Sequence, residues 1–305
     1  MLKALHQSLN ARAFLLLRHP VLMMLGLNVL WSITLVASKV GITQFPPLLF
    51  STLRFAVFAL PLMPFLRWYP GQMRYLLTAA LLSGGLAVAL LSAGIKYSGD
   101  ISATAIATQL TVPFTTLLSI WLLGEVVHWR RWTGIIVSLL GMSIFSFDPH
   151  MFDHRFGLAL VIISSGLGAL GLIMVKRHAA SLWTLQLQAW IAWSGLSLLL
   201  LLTLTLESGQ AAALAHADWH GWSAVLITAL LGNLTAHSGF YTLVRAHPIS
   251  RLAPLNVVSP ILSVMLGVLA LGDRLTARGI LGGGLVLAGV LIIAIREGSI
   301  VDAPL

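Results

Sequence analysis

Residues 119–141, SIWLLGEVVHWRRWTGIIVSLLG, and residues 267–289, GVLALGDRLTARGILGGGLVLAG, carry the same landmarks 148 positions apart. Gly124-Glu125 falls on Gly272-Asp273, Arg130 on Arg278, Gly134 on Gly282 and Gly141 on Gly289. The register extends upstream, where Ile101-Ser102 falls on Ile249-Ser250. A weaker echo links Ser38-Lys39 with Val175-Lys176. Each stretch is a long apolar run, a Gly-acid break and a second apolar run with glycines seven apart. The chain therefore reads as two related halves.

Working outward, ten apolar windows are long enough to cross a bilayer, for which about 20 residues are needed. They are 21–42, 46–66, 75–97, 101–124, 131–147, 156–178, 182–206, 222–244, 252–272 and 278–296. Short breakers separate them, such as Pro46-Pro47, Tyr69-Pro70-Gly71 and Ser98-Gly99-Asp100, and the longest polar connection is 207–221. Five windows per half is an odd number, so the halves enter the membrane in opposite senses. The expected fold is an all-α membrane protein of ten transmembrane helices, built as two inverted five-helix repeats with both termini cytoplasmic. The expected divisions are a cytoplasmic N-terminal segment 1–20, a first repeat 21–150, a second repeat 151–297 and a cytoplasmic tail 298–305.

Composition agrees with this reading. Of the 305 residues 58% are hydrophobic and 9% charged, where a soluble domain carries about 25% charged residues. Mean hydropathy is +0.94. The net charge of +9 does not indicate nucleic acid, because the basic residues stand in ones and twos between apolar runs and not along one face. With both ends inside, twelve of the 18 Lys and Arg residues fall on the cytoplasmic side and five outside, with Arg54 within a window. That asymmetry follows the positive-inside rule. The chain has no cysteine, hence no disulfide, thiolate metal site or thiol nucleophile. Two loop clusters, His150/Asp153/His154 and His216/Asp218/His220, are small and read as solvated loops, so neither a metal nor another cofactor is expected.

Polar side chains within a span face the protein interior or a wet cavity. Helical spacing puts Asn233, His237 and Tyr241 on one face, and Asn28 and Trp31 on another, with Lys39 near it. Thr104, Thr108, Thr111 and Thr115 form a hydroxyl stripe with Gln109 beside it, and Asn256, Ser259 and Ser263 form a second. Arg54 is the cation deepest in a span and suits a substrate carboxylate, which a guanidinium grips in two-pronged fashion. The expected substrate-binding set is Asn28, Trp31, Lys39, Arg54, Gln109, Asn233, His237, Tyr241 and Asn256. All nine acids lie at window ends or in loops. Energy coupling stays open between proton antiport through His237 and exchange or equilibration of substrate. Gly134/Gly141 and Gly282/Gly289 read as helix-packing seams.

Leu30-Trp31-Ser32, Ser38-Lys39-Val40-Gly41, Pro46-Pro47 and Leu53-Arg54-Phe55 resemble the opening of the EamA family, within the drug/metabolite transporter superfamily. Pro113 with Leu123-Gly124-Glu125 through Gly134 and Gly141 resembles the close of its first repeat. Ala253-Pro254, Pro260, Leu271-Gly272-Asp273 and Gly282 through Gly289 resemble the close of its second. Departures are Ser32, where the family often has Gly, and Asp273, where it often has Glu. The resemblance implies a bacterial inner-membrane transporter, not an enzyme, which exports amino acids or related small polar metabolites by alternating access around a central cavity. It favours Trp31 as a cavity residue. Relatives in the superfamily also carry drugs, purines or sugars. A polytopic enzyme is the rival class, and the sequence has neither an HExxH nor a Gly-x-Ser-x-Gly motif.

Overall fold

A computed structural model describes residues 20–124, 126, 128–147, 154–178, 182–246 and 253–295. Helices account for nearly all of them, and no strand occurs among the described residues. We label the long helices α1 Pro20–Gln44, α2 Pro47–Phe65, α3 Met73–Tyr97, α4 Ile101–Leu123, α5 Trp129–Ser146, α6 Arg155–His178, α7 Thr184–Leu206, α8 Trp219–Ala246, α9 Leu255–Leu271 and α10 Ala277–Ile295. Eight of them, all but α5 and α9, are long and apolar enough to cross a membrane. The segment before Pro20 and the tail after Ile295 lie outside the described residues. The 207–221 connection is more ordered than its polarity suggests. It holds a short helix, Gln210–His216, and then the capped start of α8 at Trp219.

The main helix pairings cross between the first five helices and the last five: α5 with α10, α3 with α6, α2 with α7, α4 with α6, and α1 with α8 and α9. Exchanging each helix for the one five places along maps α3–α6 onto α8–α1, and α4–α6 onto α9–α1. It returns α2–α7 and α5–α10 to themselves. The packing thus has the order of a two-fold exchange.

The closest pairing runs along the predicted glycine seam. A Cβ on Gly141 would lie 2.6 Å from the Val286 amide nitrogen and 2.7 Å from the Gly282 carbonyl oxygen. A Cβ on Gly282 would meet Phe145 N at 2.7 Å and the Gly141 oxygen at 2.8 Å. The obstacles are backbone atoms, which cannot swing aside. Bare glycines therefore set how near α5 and α10 approach, as small residues do where lipid offers no hydrophobic drive.

Carboxylates cap helices in place of lining the interior. Pro47 has no N–H to satisfy, and Glu207, at the end of α7, accepts from both following amides, Leu48 and Leu49, at 2.9 Å each. Asp273, just past the left-handed Gly272, accepts from Ser102 N at 2.7 Å and from the Ser102 hydroxyl at the start of α4. Asp218 accepts from the amides of His220 and Gly221 at the start of α8. Helix N-termini carry free N–H groups and a positive dipole end, so a carboxylate is stabilising at each place.

Candidate functional site

Four helices lose their regular hydrogen-bond ladder in the interior, and the irregular stretches face one another. In α4, Pro113 cannot donate to Gln109, so the chain tightens ahead of it: Gln109 N bonds Ile106 O, Leu110 N bonds Ala107 O and Val112 N bonds Gln109 O. This splits α4 into Ile101–Thr108 and Thr111–Leu123. In α9, Asn256 stands four residues before Pro260, as Gln109 stands before Pro113, and a tight 3-10 turn covers Ala253–Val257. In α3 and α8 the ladder widens to π turns over Leu81–Leu86 and Ile227–His237. Such wide turns often mark functional sites.

Around these breaks lies a cavity of about 540 Å³. Its walls come from α1 (Trp31, Thr34, Ser38), α2 (Arg54, Phe55, Phe58), α3 (Ser83, Gly84, Ser92), α4 (Thr108, Gln109, Thr111), α7 (Gln188, Ile191), α8 (Thr228, Asn233, His237) and α9 (Asn256, Ser259, Ser263). Both halves contribute. Irregular backbone at membrane depth is tolerated where it lines a wet cavity, and this one is lined by hydroxyls and amides.

Six residues of the expected set meet here: Trp31, Arg54, Gln109, Asn233, His237 and Asn256. Asn28 is displaced from the cavity. Fully buried, its Nδ2 donates to Met24 O at 2.9 Å and to Leu255 O at 3.0 Å, tying α1 to α9. Ser32 reinforces that tie by donating to the Ser259 carbonyl at 2.9 Å. Lys39 is also off the cavity wall. Its Nζ donates to Ile95 O at 3.0 Å and Gly99 O at 2.7 Å, at the end of α3, where a cation complements the negative end of a helix. Tyr241 belongs to α8, but its side chain lies outside the described residues. Of the hydroxyl stripe on α4, Thr108 and Thr111 reach the cavity, whereas Thr104 is buried against Ser98. Sequence reading missed Gln188. It is 2% exposed and accepts from Ser238 Oγ at 3.1 Å. Its signal was an amide inside the apolar run of α7, masked by its place one turn from the helix start.

Two contacts meet at His237 Nδ1. Nδ1 lies 2.9 Å from the Gly232 carbonyl and 3.5 Å from Trp31 Nε1. A carbonyl can only accept, so the shorter contact requires a proton on Nδ1. The indole N–H therefore has no lone pair to meet there. The Trp31–His237 contact is instead edge-to-face, with centroids 5.8 Å apart at 80°.

Four polar atoms at the cavity wall are buried without a hydrogen-bond partner: Arg54 Nε, Gln188 Nε2, Asn233 Nδ2 and Asn256 Oδ1. The Arg54 guanidinium lies 5.5 Å over the Phe55 ring and within electrostatic reach of His237. No carboxylate lines the cavity among the described residues. Buried polar groups in native proteins are paired with few exceptions, so this cluster has the character of a binding site.

A model of the EamA-like transporter family matches the chain twice, over residues 19–147 and 155–295. The chain belongs to the EamA-like transporter family. Its family and the names of its relatives indicate a multi-pass membrane transporter rather than an enzyme. It is 24% identical over 271 residues to a "Probable amino-acid metabolite efflux pump" of Escherichia coli (strain K12), covering 87% of this chain and 91% of that one. It is 25% identical over 293 residues to the "Uncharacterized transporter YoaV" of Bacillus subtilis (strain 168), covering 89% and 96%. It is 24% identical over 279 residues to the "Uncharacterized inner membrane transporter YedA" of Escherichia coli (strain K12), covering 89% of each chain. A solved structure described as "Crystal structure of protein" superposes with a TM-score of 0.63 at 16% identity, over 92% of this chain and 99% of that one. That likeness bears on the fold alone.

Proposed function

We propose that this EamA-like transporter exports amino acids or related small polar metabolites across the bacterial inner membrane, by alternating access around the interior cavity. The observation that carries the proposal is an interior cavity walled by both halves, with polar groups among its lining, where four helices are broken or widened. Broken helices meeting between inverted repeats are how many transporters build a site near the midplane. The exchange symmetry of the packing supports two inverted five-helix repeats, 21–150 and 151–297. At 1.5 Å per residue, the 18-residue α5 and the 17-residue α9 reach about 25–27 Å, near the hydrocarbon thickness. They complete ten spans, with both termini cytoplasmic. The relatives named for amino-acid metabolite efflux and inner-membrane transport support the substrate class and the location. Trp31, Arg54, Gln109, Asn233, His237 and Asn256 form the substrate-binding wall.

The natural absence of cysteine allows a direct topology test. Ser8→Cys and Ser299→Cys should each react only with a reagent admitted to the cytoplasmic side. Labelling from opposite sides would overturn the inverted arrangement. Flux is tested with the purified chain in liposomes, where movement of none of the amino acids or related metabolites offered would overturn the substrate class. His237 is the imidazole on the cavity wall. In a proton-driven cycle His237→Gln abolishes pH-driven uptake and spares exchange, whereas unchanged pH dependence assigns the cycle to exchange or equilibration.

A further inference from the structure

The cavity is one-sided in charge. Arg54 brings a permanent positive charge, and its Nε is buried with no protein partner. Gln188 and Asn233 also line the cavity, and each carries a buried side-chain nitrogen without a partner. No carboxylate faces them among the described residues. Glu207, Asp273 and Asp218 are engaged at helix N-termini. A guanidinium held in a low-dielectric interior is costly unless an anion joins it. A guanidinium on the wall of a cavity without a carboxylate is what an anionic carboxylate would join.

The same wall penalises a second positive charge. An ammonium entering the cavity would leave water, find only neutral acceptors such as Asn256 Oδ1 and the hydroxyls, and sit near Arg54. A neutral acceptor supplies a hydrogen bond but does not neutralise charge. It does suit an amide N–H. Beside the polar wall stands an apolar one, formed by Phe55, Phe58, Val88, Leu91 and Ile191.

We infer that the site selects net-anionic carboxylates whose amine is absent or acylated, with an apolar side chain, over zwitterionic amino acids and over cations. Arg54 is the residue that reads the charge. The inference rests on the cavity being the substrate site, and it narrows the proposed class to the related metabolites, away from free amino acids.

The test uses the purified full-length chain and three probes that differ in charge: N-acetyl-leucine (anion), leucine (zwitterion) and leucine amide (cation). Ligand-dependent thermal stabilisation in detergent reads binding, and counterflow in liposomes reads transport. N-acetyl-leucine should bind at least about tenfold more tightly than leucine, the scale of burying one ammonium that meets only neutral acceptors, and leucine amide should not bind. Arg54→Gln should abolish that preference. Arg54→Lys, which keeps the charge and loses the fork, should keep the preference at lower affinity. If Arg54→Gln does not fold, as its melting without ligand will show, Arg54→Lys carries the test alone, and unchanged affinity would overturn the inference. Equal binding of leucine, binding of none of the three, or a preference that survives Arg54→Gln would also overturn it. Binding in the expected charge order without flux would instead count against the transport reading.

Discussion

Glu207 closes the start of α2 with one carboxylate. The start of α2 has two free amides once Pro47 is discounted, Leu48 and Leu49, which are 8% and 7% exposed. Both donate to the one carboxylate, which also accepts from Thr203 Oγ1 at 2.8 Å. Glu207→Ala leaves two buried N–H groups with neither protein nor water to meet them. Hydrogen bonds to a charged acceptor contribute about 1.5–3 kcal/mol each. Part of that returns when a half-buried charge is no longer desolvated, which leaves a net loss of about 2–4 kcal/mol. For a chain of this size that is a fall in melting temperature of roughly 3–6 °C. Glu207→Gln offers one neutral carbonyl to two donors and should lose about half as much. The assay is thermal unfolding of the purified variants in a single detergent, with counterflow per folded molecule measured alongside. Counterflow should be unchanged, because neither Glu207 nor the amides it caps line the cavity. A Glu207→Ala protein that melts within about 1 °C of the parent would refute the capping argument. A Glu207→Gln protein equal to the parent would show that the charge contributes nothing.

The same geometry yields two further expectations. Gly141→Ala places a methyl against the backbone of α10, 2.6 Å from Val286 N, and should cost about 1–3 kcal/mol. Gly284→Ala, with nothing within 4 Å, should be neutral or stabilising by up to about 1 kcal/mol; the reverse order in thermal unfolding would exclude a glycine-controlled seam. Asp218 is exposed, and its carboxyl is held below the usual carboxylate range, first by the Gln44 side-chain amide and then by His220. A depressed folded value means the contribution is present above the unfolded carboxylate value, about 3.9, and is lost as pH falls through the lower folded value. The melting gap between the parent and Asp218→Asn should therefore be full at pH 7 and narrow only below about pH 4. A gap that widens on acidification would be inconsistent with this assignment.

Solvent and period were enough for the sequence alone to determine the class of the fold. Uninterrupted apolar runs can be satisfied only by lipid and by helices that close their own backbone bonds, so the helical class, the family resemblance and the membrane setting were legible from composition and spacing. The 148-residue register also marked the glycine seam, because backbone-to-backbone approach leaves room for no other residue. Which polar residues share a cavity was not legible. Helical spacing puts Asn28 and Trp31 on one face equally well, yet Asn28 ties α1 to α9 and Trp31 reaches the cavity wall. Spacing alone offered Lys39 the same role as Arg54. Only the end of α3, carrying free carbonyls into reach, gave Lys39 its partners, while no element brought an acid to Arg54 among the described residues. A side chain's periodicity fixes its angle around one helix. Whether it finds a partner depends on what another part of the chain, often more than 200 residues away, brings opposite to it, and that is decided by packing.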